Sequence, residues 1–450
     1  MNLNQRQSFR SGQEYLRSLL FLSPFILLFF ISLIQVFNLT IIQGDKYQTI
    51  AESNRIYQKT INPVRGFIYD HRGELLVENI VQRDLYVTPA YIENPNKTLL
   101  TLSDLLGLSF EGLESIYFSR ALKIKNYDSF PLVKSLNEEQ IAKVKVNIDL
   151  ISGVEVISSL KRYVLHDQTL AHIIGYVGDI SLVDIQNDNS LSEIKNSQIG
   201  KTGIEKEFDS ILRGKPGYQT QERDVKGKLV RVLDTEGAKD GENIYLSIDK
   251  SLQTHLFKLF KGRKGALVAL EPKTGLVRAL ISSPSYDPNI LNSIVDSTLV
   301  EKLFDNQNSP IFNRAISGQY PPASTLKPFV GLAAIENRVI SWEKKIRDNG
   351  KYFVEGDPRP YRGWKENGHG NVDLRKAIIE SSDVYFYNIA YDLTLSGIKP
   401  MLESFGFGKK TGLTPFESSG LLPDKKWKLG YKGDFWFKGD TINLGIGQGY

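Results

Sequence analysis

Between Leu19 and Gln43 the chain carries no charge, and from Leu19 to Phe37 it reads LLFLSPFILLFFISLIQVF. A bilayer-crossing helix needs roughly 20 apolar residues, and this run is long enough. The rest of the chain must therefore fold as a body tethered at one end. Arg6, Arg10 and Arg17 precede the run, opposed only by Glu14. By the positive-inside rule this predicts a cytoplasmic tail over 1–18, a transmembrane anchor over 19–42 and an exported remainder. No small-x-small cleavage pattern follows, so the expectation is a retained anchor rather than a signal peptide. A buried core helix is the competing reading, and the length and the flanking arginines speak against it.

Past the anchor, 450 residues leave room for two or three domains. Hydrophobic residues make up 41% and charged residues 24%, ordinary values for globular cores. A net charge of +5 from 56 basic and 51 acidic residues is too balanced to argue for a nucleic-acid partner. The absence of cysteine excludes a disulfide framework and a thiolate zinc site. The five histidines, His71, His166, His172, His255 and His369, show no H-E-x-x-H spacing. Each reads as a surface or hydrogen-bonded structural histidine. No cofactor is expected.

Several elements can be placed along the chain. Ile68-Tyr69 and Glu74–Val77 flank Asp70-His71-Arg72-Gly73, a hairpin signal. Apolar spacing predicts a helix over 101–123 and another over 138–147, then a strand Val154–Ile157 and a helix around Glu205–Leu212. No nucleophile–base pair or metal cluster stands out here, so 43–240 reads as a mixed α+β, non-catalytic module. After the polar turn at Lys239–Asn243 come a strand Ile244–Ile248 and a helix capped by Asp249. A hairpin of Gly265–Leu270 and Leu276–Ser282 follows, around a Pro/Gly turn. Residues 241–450 thus read as an α/β or α+β domain with an antiparallel sheet and flanking helices.

Chemistry enters at Tyr320-Pro321-Pro322-Ala323-Ser324-Thr325-Leu326-Lys327-Pro328-Phe329. Ser324 and Lys327 are three residues apart, so on a helix they share a face and the hydroxyl can meet the amine. Pro328 is tolerable only near a helix start, which puts both residues in a first turn. A serine there sits among unpaired N–H groups that favour developing negative charge. Alone, Ser-x-x-Lys is as readily a helix cap beside a solvated lysine. The second constellation is Glu380-Ser381-Ser382-Asp383, expected on a loop leading into a helix with Tyr387, Ile389 and Ala390. A hydroxyl beside a serine–lysine pair can relay a proton, and Asp383 can orient the lysine or a substrate. Alone, this too reads as an ordinary N-cap.

Together, Ser-x-x-Lys and Ser-x-Asp resemble the signature of penicillin-binding proteins and serine β-lactamases. Ala51–Arg55, VRGFIYDHRGELL, LAHIIGYVG, GKTGIEKEFDSILRGKPG and EPKTGLVRAL resemble class B penicillin-binding proteins. Tyr361–Ile378, ESSDVYFYNIA and FGFGKKTGL are similar to the elongation-type subgroup, penicillin-binding protein 2. The resemblance runs from about Gly44 to Tyr450. It implies a pedestal of dimerisation type beneath a β-lactamase-like transpeptidase domain. It also implies a D,D-transpeptidase that cross-links peptidoglycan stem peptides ending in D-Ala-D-Ala and is acylated by β-lactams. In that reading Ser324 is the nucleophile and its N–H half of an oxyanion hole. Lys327 takes the serine proton, although the base in this superfamily is disputed. Ser381 shuttles a proton, and Asp383 stands where many relatives have Asn. The implied partners are a SEDS-type membrane glycosyltransferase and proteins of the elongation complex. The implied location is the bacterial inner membrane, with one span, a cytoplasmic N-terminus and the bulk in the periplasm.

Some positions depart from the pattern. Ala323 stands where relatives usually have Gly. Some relatives carry Cys in the second motif and Asp before the Trp, residues able to bind metal. Here Ser382 and Gly363 occupy those positions, so no zinc site is expected although His369 remains. Lys201-Thr202-Gly203, Lys273-Thr274-Gly275 and Lys410-Thr411-Gly412 all lack the setting of the family's Lys-Thr-Gly edge strand. The first follows a pseudo-phosphate-loop Gly200, whose opening glycine is replaced by Lys195. The expectation is that the sequence ends inside the catalytic domain, at Gly447-Gln448-Gly449-Tyr450. A catalytically inactive structural subunit and a penicillin-sensing receptor are the other readings.

Overall fold

The computed structural model describes residues 22, 24–25, 27–43, 56–122, 128–165, 167–189, 191, 194, 198–224, 229–291, 303 and 309–450. The anchor segment lies partly outside these residues, as do Ala51–Arg55 and His166. Among the described residues no helix is long and apolar enough to cross a membrane.

The expected hairpin forms between strands Ile68–Tyr69 and Leu75–Val87. Its turn is closed by Asp70, whose Oδ1 accepts from the Arg72 and Glu74 N–H groups at 2.8 Å each. The 13-residue strand Leu75–Val87 is long enough to pair with three neighbours. From Val77 to Val87 it runs antiparallel to Val154–Val164, and at its end to Phe130–Val133. The Val154 strand is thus far longer than the segment its four apolar-rich residues mark. One sheet face packs Leu85, Leu99, Leu102, Leu132 and Val144 into a core with helices Pro95–Leu106, Phe110–Ala121 and Glu138–Val146. The single helix expected over 101–123 is two. Gly107 adopts φ +66° and ends the first, and the Ser109 side chain accepts from the Gly112 N–H to start the second. The helix expected at 205–212 is likewise split, into Gly203–Glu207 and Asp209–Arg213.

The strand read as Ile244–Ile248 is only Ile244–Tyr245, paired in parallel with Ile68–Tyr69. This splices the second half of the chain onto the first. A Cβ at Gly66 would lie 2.0 Å from the Glu242 carbonyl oxygen, so only glycine lets the two segments cross. Beneath the crossing, the fully buried Glu205 accepts from Arg65 at 2.6 Å and Arg162 at 2.7 Å. Gln253, on helix Lys250–Phe260, adds a further tie. Its Nε2 donates to the carbonyls of Thr169 and Leu280, both at 2.8 Å. Asp249 caps that helix through the Leu252 N–H, as its sequence predicts. The hairpin Gly265–Leu270 and Val277–Ser283 forms a two-stranded antiparallel sheet.

The last core is helical. The 22-residue helix Asp383–Ser404 buries Tyr385, Phe386, Ile389, Ala390 and Ile398 against helices Lys327–Glu336 and Lys438–Leu444. Non-helical dihedrals at Thr394 (φ 58°, ψ 176°) kink it. Val330, Ala333 and Ala334 present small side chains where the Lys327 helix faces it. The packed start of the Asp383 helix lies against the start of the Lys327 helix, and there the two sequence motifs meet.

Candidate active site

Local chemistry sets the nucleophile turn. Ser324 does not sit in an α-helical first turn, as its spacing suggests, but in the 3-10 turn Ala323–Leu326. Pro328 explains the difference. It has no N–H for the Ser324 carbonyl four residues back, so the Lys327 N–H takes that carbonyl and the α-helix begins only at Lys327. Ala323 precedes it at φ +50°, a left-handed conformation that glycine adopts without strain. The Ala323 N–H donates to the Gly447 carbonyl at 2.9 Å. A Cβ on Gly447 would sit 2.2 Å from the Ala323 oxygen, so the Gly-Gln-Gly segment is a tight backing for the turn.

The result is an exposed Ser324 above a Lys327 that is 1% exposed. Lys327 Nζ donates to Asp383 Oδ1 at 2.6 Å, Ser381 O at 2.9 Å and Ser381 Oγ at 3.1 Å. Three N–H donors thus meet three acceptors, the complement of an ammonium group. Ser381 Oγ in turn donates to Ser324 Oγ at 3.0 Å. Among the described hydrogen bonds, Lys327 reaches Ser324 through Ser381 rather than directly. The four residues singled out in the sequence therefore form one connected path, with Ser381 at its middle.

Ser381 is held at φ +52°, a left-handed conformation a serine adopts only when its surroundings fix it. The N-cap of the following helix is not Ser381 or Asp383 but Ser382, whose side chain accepts from the Tyr385 N–H. Trp364 spans the motif. Its backbone N–H donates to Asp383 Oδ2 at 3.1 Å, and its Nε1 lies 3.2 Å from both the Glu380 and Ser381 carbonyls. Burial, reinforced by the Asp383 charge, pushes the nearby Tyr387 phenol up to about 12. Trp364 and Gly447 are site residues that motif spacing alone does not mark, though both lie in segments that carry the family resemblance. Asp348, beneath Ser382, has no such signal.

The Lys-Thr-Gly tripeptides lie elsewhere. Lys201 follows strand Gln198–Gly200, and Thr274 closes a hairpin turn onto Glu271. Lys410–Gly412 is a loop wrapped on Glu417, with Thr411 Oγ1 and the Gly412 N–H each 2.6 Å from its carboxylate.

The residues beneath the second motif do not fit a metal. Gly363 offers no side-chain donor, while Ser382 Oγ and His369 Nδ1 both contact Asp348 Oδ2, at 2.6 and 2.7 Å. Among the described residues no group of three or more His, Cys, Asp or Glu could hold an ion. His71 and His172 serve locally. His71 Nδ1 meets the Ile248 carbonyl, and burial pushes His172 down to about 4.

The geometry is a serine–lysine site: a serine in a turn, a buried lysine and a second serine between them. Residues 60–246 match the penicillin-binding protein dimerisation domain and 265–450 the penicillin-binding protein transpeptidase domain. The chain belongs to the penicillin-binding proteins that join these two domains. It is 38% identical over 420 residues to the peptidoglycan D,D-transpeptidase MrdA of Haemophilus influenzae, covering 92% of this chain and 64% of that one. With MrdA of Escherichia coli K12 it shares 35% over 439 residues, covering 96% and 69%. The fold resembles that of PBP2 from Helicobacter pylori, solved in complex with MreC, at TM-score 0.77 and 29% identity, covering 88% and 74%. The chain thus spans just under two thirds of the H. influenzae relative's length.

Proposed function

We propose that the protein is a serine D,D-transpeptidase that cross-links peptidoglycan stem peptides during cell elongation and is acylated by β-lactams. The observation that carries this reading is the unbroken path from the exposed Ser324 hydroxyl through Ser381 to the buried Lys327. Ser324 Oγ attacks the carbonyl of the terminal D-Ala-D-Ala bond. Its proton passes to Ser381 Oγ as Ser381 passes its own to Lys327, which must first have given one up to act as a base. The new Oγ–C bond forms, the C–N bond breaks, and terminal D-Ala leaves as the same relay, run outward, protonates its nitrogen. The hydrogen bonds in the structure point in this outward direction, from Lys327 to Ser381 to Ser324. An amine of a second stem peptide then displaces Ser324. The Ser324 N–H, in the opening turn and outside the α-helical ladder, supplies one oxyanion donor. Asp383 holds Lys327 in register from the far side.

The cellular setting belongs to the same proposal. Residues 1–18 are a cytoplasmic tail, 19–42 an inner-membrane anchor, 43–240 a periplasmic pedestal and 241–450 a transpeptidase domain. The flanking arginines support the anchor, as do the exposed apolar side chains from Leu27 to Ile42. The match to the PBP2 solved with MreC supports an elongation-complex partner, and the family resemblance supports a SEDS-type glycosyltransferase. The test is cross-linking of a synthetic D-Ala-D-Ala stem peptide to an amine acceptor. The whole protein should release D-Ala stoichiometrically with cross-linked product, and the Ser324→Ala variant should release none. Equal turnover by the variant would refute the reading.

A further inference from the structure

We propose that Asp348, His369 and Ser382 form a metal-free, hydrogen-bonded clamp that sets the position of Ser381, making them positioning residues of the transpeptidase reaction. The inference rests on the transpeptidase reading above.

Ser381, Ser382 and Asp383 divide their tasks by direction. The outer two face Lys327, while Ser382 is fully buried and donates to Asp348 Oδ2. That oxygen also contacts His369 Nδ1, and Oδ1 accepts the Gly350 N–H at 2.8 Å, so both carboxylate oxygens are occupied. Asp348 and the His369 side chain are each 3% exposed. Burial alone would push the Asp348 carboxyl up, but the bonds from Ser382, His369 and Gly350 together hold it below its ordinary value. The turn that supplies the Gly350 N–H is itself fixed. Gly350 has φ +84°, and a Cβ there would lie 1.9 Å from the Glu366 carbonyl oxygen.

The clamp reaches the motif by a second route. The Trp364 ring lies 5.4 Å from the His369 ring, centroid to centroid, and the same tryptophan donates to Asp383 and to the Ser381 carbonyl. A left-handed serine at the centre of a proton path needs such over-determination, because its backbone otherwise relaxes to a commoner conformation. Ser382 ties the chain one residue from Ser381, and Trp364 ties the carbonyl of Ser381 itself.

The experiment compares the whole native protein with His369→Leu, His369→Asn and Ser382→Ala. It reads the acylation rate by a fluorescent penicillin, amide hydrogen exchange over residues 380–387 and bound zinc. Asparagine can keep a donor where Nδ1 stands, and leucine cannot. His369→Leu and Ser382→Ala should acylate at least tenfold more slowly and exchange faster over 380–387. His369→Asn should recover to within threefold of native in both readouts. The clamp is overturned if both disruptive variants stay within twofold of native with unchanged exchange, or if His369→Asn falls as far as His369→Leu. It is equally overturned if the native protein carries stoichiometric zinc whose removal reproduces the loss. A native protein that penicillin does not acylate would refute the transpeptidase reading, and the exchange data alone would then decide the clamp.

Discussion

Replacing Ser381 separates chemistry from backbone strain. Ser381→Ala and Ser381→Gly both delete the hydroxyl that links Lys327 to Ser324 through contacts of 3.1 and 3.0 Å. Proton relays of this kind contribute roughly 100- to 10,000-fold to rate. At about 1.4 kcal/mol per tenfold, that raises the barrier by about 3–5 kcal/mol. Both variants should therefore acylate at least about 100-fold more slowly. Stability should part them. At φ +52° an alanine carries about 1–2 kcal/mol of left-handed strain that glycine lacks. Glycine gives back about 0.5–1 kcal/mol through unfolded-state entropy. Ser381→Gly should thus be as stable as Ser381→Ala or up to about 1.5 kcal/mol more stable. Stopped-flow acylation and urea unfolding on the same preparations read both quantities. An alanine variant that acylates within threefold of native would remove Ser381 from the proton path. A glycine variant less stable than alanine by more than about 1 kcal/mol would contradict the strain argument.

Other expectations follow from particular contacts. Gly447→Ala, at φ +70° with its Cβ 2.2 Å from the Ala323 oxygen, should displace the nucleophile turn. It should lower both the melting temperature and the penicillin acylation rate, and native values for both would count against the backing role of this segment. Glu205→Ala takes the carboxylate from the buried Arg162 and leaves the half-buried Arg65 with Asp209, and should destabilise by about 3–5 kcal/mol in denaturant unfolding. A loss under 1 kcal/mol would show that the network is solvated. The Asp348 carboxyl lies below its ordinary 3.8 in the folded state, so its contribution to stability is present above that value and is lost as pH falls through the folded one. Asp348→Asn should lower the neutral-pH melting temperature and flatten the acid limb of its pH profile, and an unchanged limb would assign that limb to other groups.

How legible the molecule is in its sequence depends on the range of the interaction. Turn and cap chemistry is local, so the Asp70 hairpin and the Asp249 cap can be read directly. The spacing of Ser324 with Lys327, and of Ser381 with Asp383, marks groups that the fold does bring within hydrogen-bond reach of one another. What spacing cannot give is the order of that path. Ser381 lies between the other two because Pro328 tightens the nucleophile turn locally and Ser381 turns left-handed where its surroundings hold it. Asp348 stays hidden for the same reason, since its partner Ser382 is 34 residues away in sequence. Helix length misleads where one glycine, Gly107, breaks an otherwise continuous apolar pattern.

The central claim is that Ser324 forms the covalent bond. The whole protein is incubated with a β-lactam and digested, and the mass shift is located by tandem mass spectrometry. The account predicts one adduct per chain, on Ser324, absent from Ser324→Ala and lost from Lys327→Arg, whose guanidinium cannot accept the proton. An adduct on Ser381 or Ser382, or its persistence in Ser324→Ala, would contradict it.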